Sequence, residues 1–342
     1  MSQTRWLRPT AWVLAVVLFI GTLRSVGLTE AWAAVRALTA RAIAAMVIVN
    51  LAALLLFTMR WWVLLRGLGE HIGIARLVLY RLAGFGFAYF TPGPQVGGEP
   101  VQVALLETRH GVARERAIAS VLVDRTLEAV VNFGYLAAAS VLLLRGSHAL
   151  LGGEALWVGI FFLLPIAYLV VLAAGHQPIA GGLDAARRFL GRGSRWKDAL
   201  EIVRVSEYEA GLFCRERRGH LLWAIAISFA GWGSILADYW LMAYFLAMPL
   251  SAYQLIAGLT AARLAYLMFL PAGLGVLEAG QVLAIGAMGF PAALGMSLSL
   301  LVRARDVLLG SIGLAWGLKA LVPLASAPPS AVPPPPPGEK AR

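Results

Sequence analysis

Charge is scarce in this sequence, and cysteine scarcer still. Only 14% of the 342 residues are Asp, Glu, Lys or Arg, and Cys214 is the single cysteine. A soluble domain is about one quarter charged. A polar outer shell for a chain that is 60% hydrophobic cannot be built from so little charge, so lipid must supply the outer surface. One cysteine excludes an internal disulfide framework and argues against a thiolate metal site. The five histidines, His71, His110, His148, His176 and His220, are scattered in or beside loops and never take up metal-ligand spacing. No metal and no cofactor are expected.

Signatures of soluble catalysis are also missing. Gly84-Phe85-Gly86 lacks the third glycine and the preceding strand of a dinucleotide fingerprint. There is no Walker lysine motif, no His-Glu-x-x-His and no nucleophile-elbow serine. No catalytic residue is assigned, and the chain is expected not to be an enzyme. The formal net charge of +11 does not point to nucleic acid. Its arginines fall between apolar runs and form no aromatic-laced basic stripe. The positive-inside bias accounts for them, with anionic lipid headgroups as neighbours.

What the sequence does contain is long apolar runs. At about 20 residues per span, expected spans lie at 11–23, 42–65, 117–144, 155–174, 221–248 and 294–321. The first follows Arg5 and Arg8 and resembles a signal peptide, with Ala31-Trp32-Ala33 imitating a cleavage site; it is read as a retained helix. Arg60-Trp61-Trp62 reads as an interfacial belt at the end of the second span. Residues 176–219 form the only long polar stretch and are expected to be amphipathic helices at the cytoplasmic surface. Residues 325–342 form a Pro-rich, disordered tail.

Two stretches, 77–106 and 253–290, are apolar but broken. The first carries Pro92, Gly93, Gly97 and Gly98; the second carries Pro271, Gly273 and Gly275. They match at a constant separation of 179 residues: Pro92 with Pro271, Glu99 with Glu278, Ser120 with Ser299, Val123 with Val302. Such breaks free backbone groups that lipid cannot satisfy, so the segments must pack in protein or line a watery cavity. Each is read as a re-entrant hairpin. The expected architecture is an all-α membrane protein: six full transmembrane helices plus two re-entrant helical hairpins arranged as an inverted repeat. It is one domain over 1–324, with repeat one at 7–144 and repeat two at 155–324. Each repeat crosses three times, so the second is inverted.

Basic residues give the orientation. Residues 175–219 hold nine Arg or Lys, whereas the loop at 248–251 holds none. Both termini are therefore expected in the cytoplasm of a bacterial cell, with the protein in the inner membrane. The loop from Arg24 to Arg41 runs against the rule, lying outside with three arginines.

Ionisable groups at membrane depth are costly and mark pathways or buried pairs. The first hairpin region supplies Arg81, Glu99, Asp124, Arg125 and Glu128; the second supplies Arg263, Glu278, Arg303, Arg305 and Asp306. Asp124 and Glu128 share a helix face and call for a cation, which Arg81 or Arg125 can supply. These residues are read as a translocation path or substrate site, in which arginines hold a phosphate and a carboxylate holds an amine headgroup or a proton. The bland alternative is structural ion pairing. Asn50, Asn132 and Asp238 read as interhelical glue, and Tyr80, Tyr89 and Tyr266 as packing residues.

The run from Arg81 through Tyr89-Phe90-Thr91-Pro92-Gly93-Pro94-Gln95-Val96-Gly97-Gly98-Glu99-Pro100, followed by Asp124-Arg125-Thr126-Leu127-Glu128, resembles the lysylphosphatidylglycerol synthase transmembrane region family, the flippase-like membrane proteins. Leu270-Pro271-Ala272-Gly273-Leu274-Gly275-Val276-Leu277-Glu278 resembles its second signature. The likeness covers roughly residues 7–324. The second proline of Thr91-Pro92-Gly93-Pro94-Gln95 departs from the family pattern. The resemblance implies a flippase-like transporter, without the soluble aminoacyl-transferase domain, that moves or handles an envelope lipid between leaflets. Its partners would be membrane lipids: anionic or amino-acylated phospholipid, or an isoprenoid lipid. The alternative is a non-transporting scaffold that binds lipid and docks a lipid-biosynthesis enzyme.

Overall fold

The computed structural model describes residues 28–90, 97–143, 153–190, 194–267 and 273–325. Among them are twelve α-helices and no strand. They are α1 (Leu28–Arg36), α2 (Ala40–Gly67), α3 (Ile74–Phe90), α4 (Glu99–His110), α5 (Arg114–Leu143) and α6 (Gly153–Ala173), then α7 (Pro178–Leu190), α8 (Ser194–Glu216), α9 (Arg218–Phe245), α10 (Ala252–Leu267), α11 (Val276–Ala287) and α12 (Ala292–Ala325). The expected first span, most of the expected tail, and Pro92, Gly93 and Pro271 lie outside the described residues.

Among the described residues three helices, α2, α5 and α9, are long and apolar enough to cross a bilayer. A fourth candidate is the pair Leu163–Ala173 of α6 and Pro178–Ala186 of α7, bent by 97°. α12 is longer than any of these, but Arg303, Arg305 and Asp306 interrupt its apolar run. The stretch read as an outside loop contains α1, a helix rich in good helix formers that packs on α12 and includes the Ala31-Trp32-Ala33 triplet.

The two halves repeat. Adding 179 to the bounds of α2, α3, α4 and α5 reproduces those of α9, α10, α11 and α12 to within three residues. Their neighbours exchange in the same way. α2 packs on α9; α3 packs on α12, and α10 on α5; α4 lies against α3 and α5, and α11 against α10 and α12. Swapping the halves leaves these pairings unchanged.

Each broken stretch doubles back on itself. Positive φ at Gly97 (138°), Gly273 (64°) and Gly275 (80°) supplies backbone that side-chain-bearing residues rarely adopt. In the first hairpin, a Cβ on Gly98 would sit 2.1 Å from the carbonyl oxygen of Gly84, so α4 begins in backbone contact with the middle of α3. It then runs back along α3 until His110 meets the Tyr80 hydroxyl at 2.9 Å. In the second, Gln281 of α11 donates to the Gly258 carbonyl of α10 at 3.0 Å and accepts from the Tyr239 hydroxyl at 2.6 Å.

The polar stretch forms α7 and α8. α8 packs on α5 and α6. Its buried Glu207 accepts from the Tyr168 hydroxyl (2.9 Å) and from the backbone N–H groups of Ile179 (3.0 Å) and Ala180 (2.8 Å). One carboxylate thus satisfies the orphan donors of the first turn of α7 and ties both helices to α6.

Candidate functional site

The hairpin acids are placed by their own helix starts. Glu99 opens α4, and its carboxylate accepts from the Gly97 N–H at 2.9 Å. Glu278 stands three residues into α11 and accepts from the Gly275 N–H at 2.8 Å. In both cases a carboxylate reaches back to free donors at a helix N-terminus, where the dipole favours negative charge. Each acid is met by an arginine of the following helix. Arg125 Nε lies 2.9 Å from Glu99 Oε1, and Arg303 Nε lies 2.7 Å from Glu278 Oε1.

Around Glu99 the network is dense. Arg60 of α2 donates to Asp124 at 2.7 Å and to Glu128 at 3.3 Å. Arg81 of α3 reaches the other oxygen of Asp124 at 2.9 Å, and Arg125 also reaches Glu128 at 3.1 Å. Neither expected donor bridges the two carboxylates: Arg81 pairs with Asp124 and Arg125 with Glu128, and the one cation that both share among the described residues is Arg60. Arg60 corrects the sequence reading. It is not at an interface: its relative exposure is 0%, and Trp61 beside it is buried with its indole N–H on Ser120 at 3.1 Å. The belt reading fails there because the carboxylates that draw Arg60 inward belong to α5, far away in sequence. Trp62 and Arg66 remain partly accessible, with the guanidinium 4.7 Å from the Trp62 ring centre.

The second half repeats the design with signs exchanged. In the first repeat an arginine of the long apolar helix (Arg60, α2) pairs with an aspartate of the charged helix (Asp124, α5). In the second, an aspartate of the long apolar helix (Asp238, α9) pairs with an arginine of the charged helix (Arg305, α12). Arg305 also holds Asp306 at 2.8 Å. Asp238 accepts from Asn50 at 2.6 Å, and Asp306 accepts from the Tyr266 hydroxyl at 2.9 Å. Asn50 and Asp238 are glue between α2 and α9, as expected, but they are more than that.

Both networks face one cavity of about 470 Å³ at the junction of the repeats. Of the ten charged residues singled out from sequence, Arg81, Glu99, Arg125, Glu128, Arg263, Arg305 and Asp306 line it. Asp124, Glu278 and Arg303 are not in its wall; Asp124 pairs with Arg81, which is. Asn50, Asn132, Asp238, Tyr89 and Tyr266, which sequence reasoning set aside as packing or glue, also line it. Phe57, Phe85, Phe133, Leu267 and Leu309 give the remaining wall an apolar surface. Sequence reasoning also missed Gln102 and Gln281, both buried and one turn after the hairpin acids. A signal was available: they match at the same separation of 179 residues.

Apolar helices of membrane-crossing length around a charge-lined internal chamber define an integral membrane protein. The likenesses agree. The chain belongs to the family described as the lysylphosphatidylglycerol synthase TM region, whose model matches residues 9–313. It is similar to a UPF0104 membrane protein of Methanothermobacter thermautotrophicus, 25% identical over 194 residues, 54% of this chain and 57% of the relative. The chain therefore spans a little over half the length of that relative. No solved structure matches.

Proposed function

We propose that the chain is a flippase-like transporter that moves an envelope lipid between leaflets, without catalysing a covalent reaction. The observation that carries this reading is the cavity between the two repeats, where charged and apolar walls meet. A lipid crossing a bilayer needs a polar path for its head beside an apolar path for its tails. Transporters with paired broken segments place their substrate site at a repeat interface in this way. Membership of a family named for a phospholipid-modifying synthase supports a lipid cargo. In this reading the two hairpins, α3–α4 and α10–α11, re-enter from opposite faces of a bacterial inner membrane. Six helices cross it, and both termini are cytoplasmic.

The test is leaflet exchange. Purified protein is reconstituted into liposomes with headgroup-labelled phospholipids, and label in the outer leaflet is bleached. Protein-dependent exchange that falls at least about tenfold in Glu99→Gln, which weakens the ion pair with Arg125, is expected. Equal exchange with and without protein across anionic, zwitterionic and amino-acylated lipids would sink the proposal. A scaffold that docks a biosynthetic enzyme through the basic segment at 175–219 predicts the reverse in cells. Replacing Arg215, Arg217 and Arg218 would abolish function, while Glu99→Gln would be tolerated.

A further inference from the structure

The charges around the cavity do not pair one to one. In the first repeat Arg60, Arg81 and Arg125 meet Glu99, Asp124 and Glu128, three against three. In the second, Arg303 meets Glu278, while Arg305 alone serves both Asp238 and Asp306. One negative charge is left over there without a direct ion pair of its own, and Asn50 and Tyr266 donate neutral hydrogen bonds to the two aspartates. The sixth arginine, Arg263 of α10, lines the same cavity and makes no ion pair or hydrogen bond among the described residues. Its guanidinium lies 4.9 Å from the centre of the Trp232 ring, which is itself stacked on Tyr135 at 5.0 Å. An aromatic face steadies the cation but accepts none of its in-plane N–H bonds.

The chamber therefore presents one guanidinium without a direct ion pair and one carboxylate beyond the pairs, in a wall whose other charged groups are paired and whose remaining surface is largely apolar. A ligand with a single net charge would satisfy one of them and leave the other unanswered, and an unanswered charge away from water is expensive. A head carrying both signs answers both. Arginine's planar fork of donors matches two oxygens of a phosphate, and two carboxylates sharing one guanidinium have acceptor capacity for an ammonium group. We propose that the cavity receives a zwitterionic amphiphile, with its phosphate on Arg263 and its ammonium at the Asp238–Asp306 pair. The amphiphile part of this assignment rests on the lipid-handling reading above; the charge pattern does not.

Native mass spectrometry of the full chain in detergent, titrated with dioleoyl lipids, tests it. Phosphatidylethanolamine should bind about tenfold or more tightly than phosphatidylglycerol, which lacks the ammonium, and than trimethylammonium-propane, which lacks the phosphate. Arg263→Gln should bring phosphatidylethanolamine down to the level of phosphatidylglycerol, and Arg263→Lys should keep part of the preference. Equal binding of the three lipids, or unchanged phosphatidylethanolamine binding to a folded Arg263→Gln variant, overturns the proposal. If that variant does not fold, the comparison of the three lipids on the unaltered protein decides. Glycerophosphoethanolamine binding as tightly as the lipid overturns lipid handling and leaves the charge assignment standing. Selective lipid binding without leaflet exchange in liposomes supports the assignment and overturns transport.

Discussion

Arg60 shows what a single side chain does in this protein. It is fully buried on an apolar helix, held by two carboxylates of α5 and with the Phe57 ring 5.2 Å from its guanidinium. Moving such a cation out of water is repaid only by close, multiple contacts. Removing it leaves Asp124 with Arg81 alone and Glu128 with Arg125 alone, in a site shaped for three arginines. Breaking a buried pair in this way costs about 3–5 kcal/mol. Arg60→Ala is expected to lower the detergent-solubilised unfolding midpoint far more than Arg204→Ala, whose pair with Glu201 is exposed and worth at most about 1 kcal/mol. Thermal unfolding followed by tryptophan fluorescence checks this, and equal shifts for the two variants would contradict the assignment.

At the scale of elements, α3 and α12 approach closely because glycine lines their contact. A Cβ on Gly313 would lie 1.8 Å from the Leu82 carbonyl oxygen, and one on Gly86 would lie 2.4 Å from the Leu314 nitrogen. Both obstacles are backbone, so the helices themselves would have to separate. Gly313→Ala is expected to destabilise by about 1–3 kcal/mol, as overpacking does, despite alanine's better helix propensity. Gly233 of α9 is the control: nothing lies within 4 Å of its added Cβ. Gly233→Ala should stabilise by up to about 1 kcal/mol. Unfolding midpoints of the two variants should shift in opposite directions. The same economy of side chain at Gly84 and Gly98 lets the first hairpin close on itself.

Over the whole molecule, the repeat sets the cavity between two like halves, and the proposed inverted topology gives each half its own face. Single-cysteine reporters test that topology without removing the native thiol. Cys214 is buried, and burial pushes its thiol up to about 11. At neutral pH it is therefore protonated and lacks the thiolate that attacks a maleimide. Its labelling should begin only on unfolding or as pH rises toward that value. On intact cells, an impermeant maleimide should label Ala252→Cys, at the exposed start of α10, and spare His71→Cys until the membrane is permeabilised. Labelling of both from one side would exclude the six-span inverted arrangement.

The sequence alone determined the material and the repeat. Too little charge for a water-facing shell fixed the solvent as lipid. The placement of proline, glycine and glutamate at one separation marked two equivalent broken segments before any helix was placed. It also picked out most of the charges that line the cavity, because a charge in an apolar run has few places to go. Only the tertiary structure decided which charges meet. Arg60 sits in a run that reads as an interfacial belt, and Asp238 stands alone in its span, because their partners lie 64 and 67 residues away on other helices. The leftover charge at Arg263 was equally out of reach, since a surplus becomes visible only once every other pair has been closed in space.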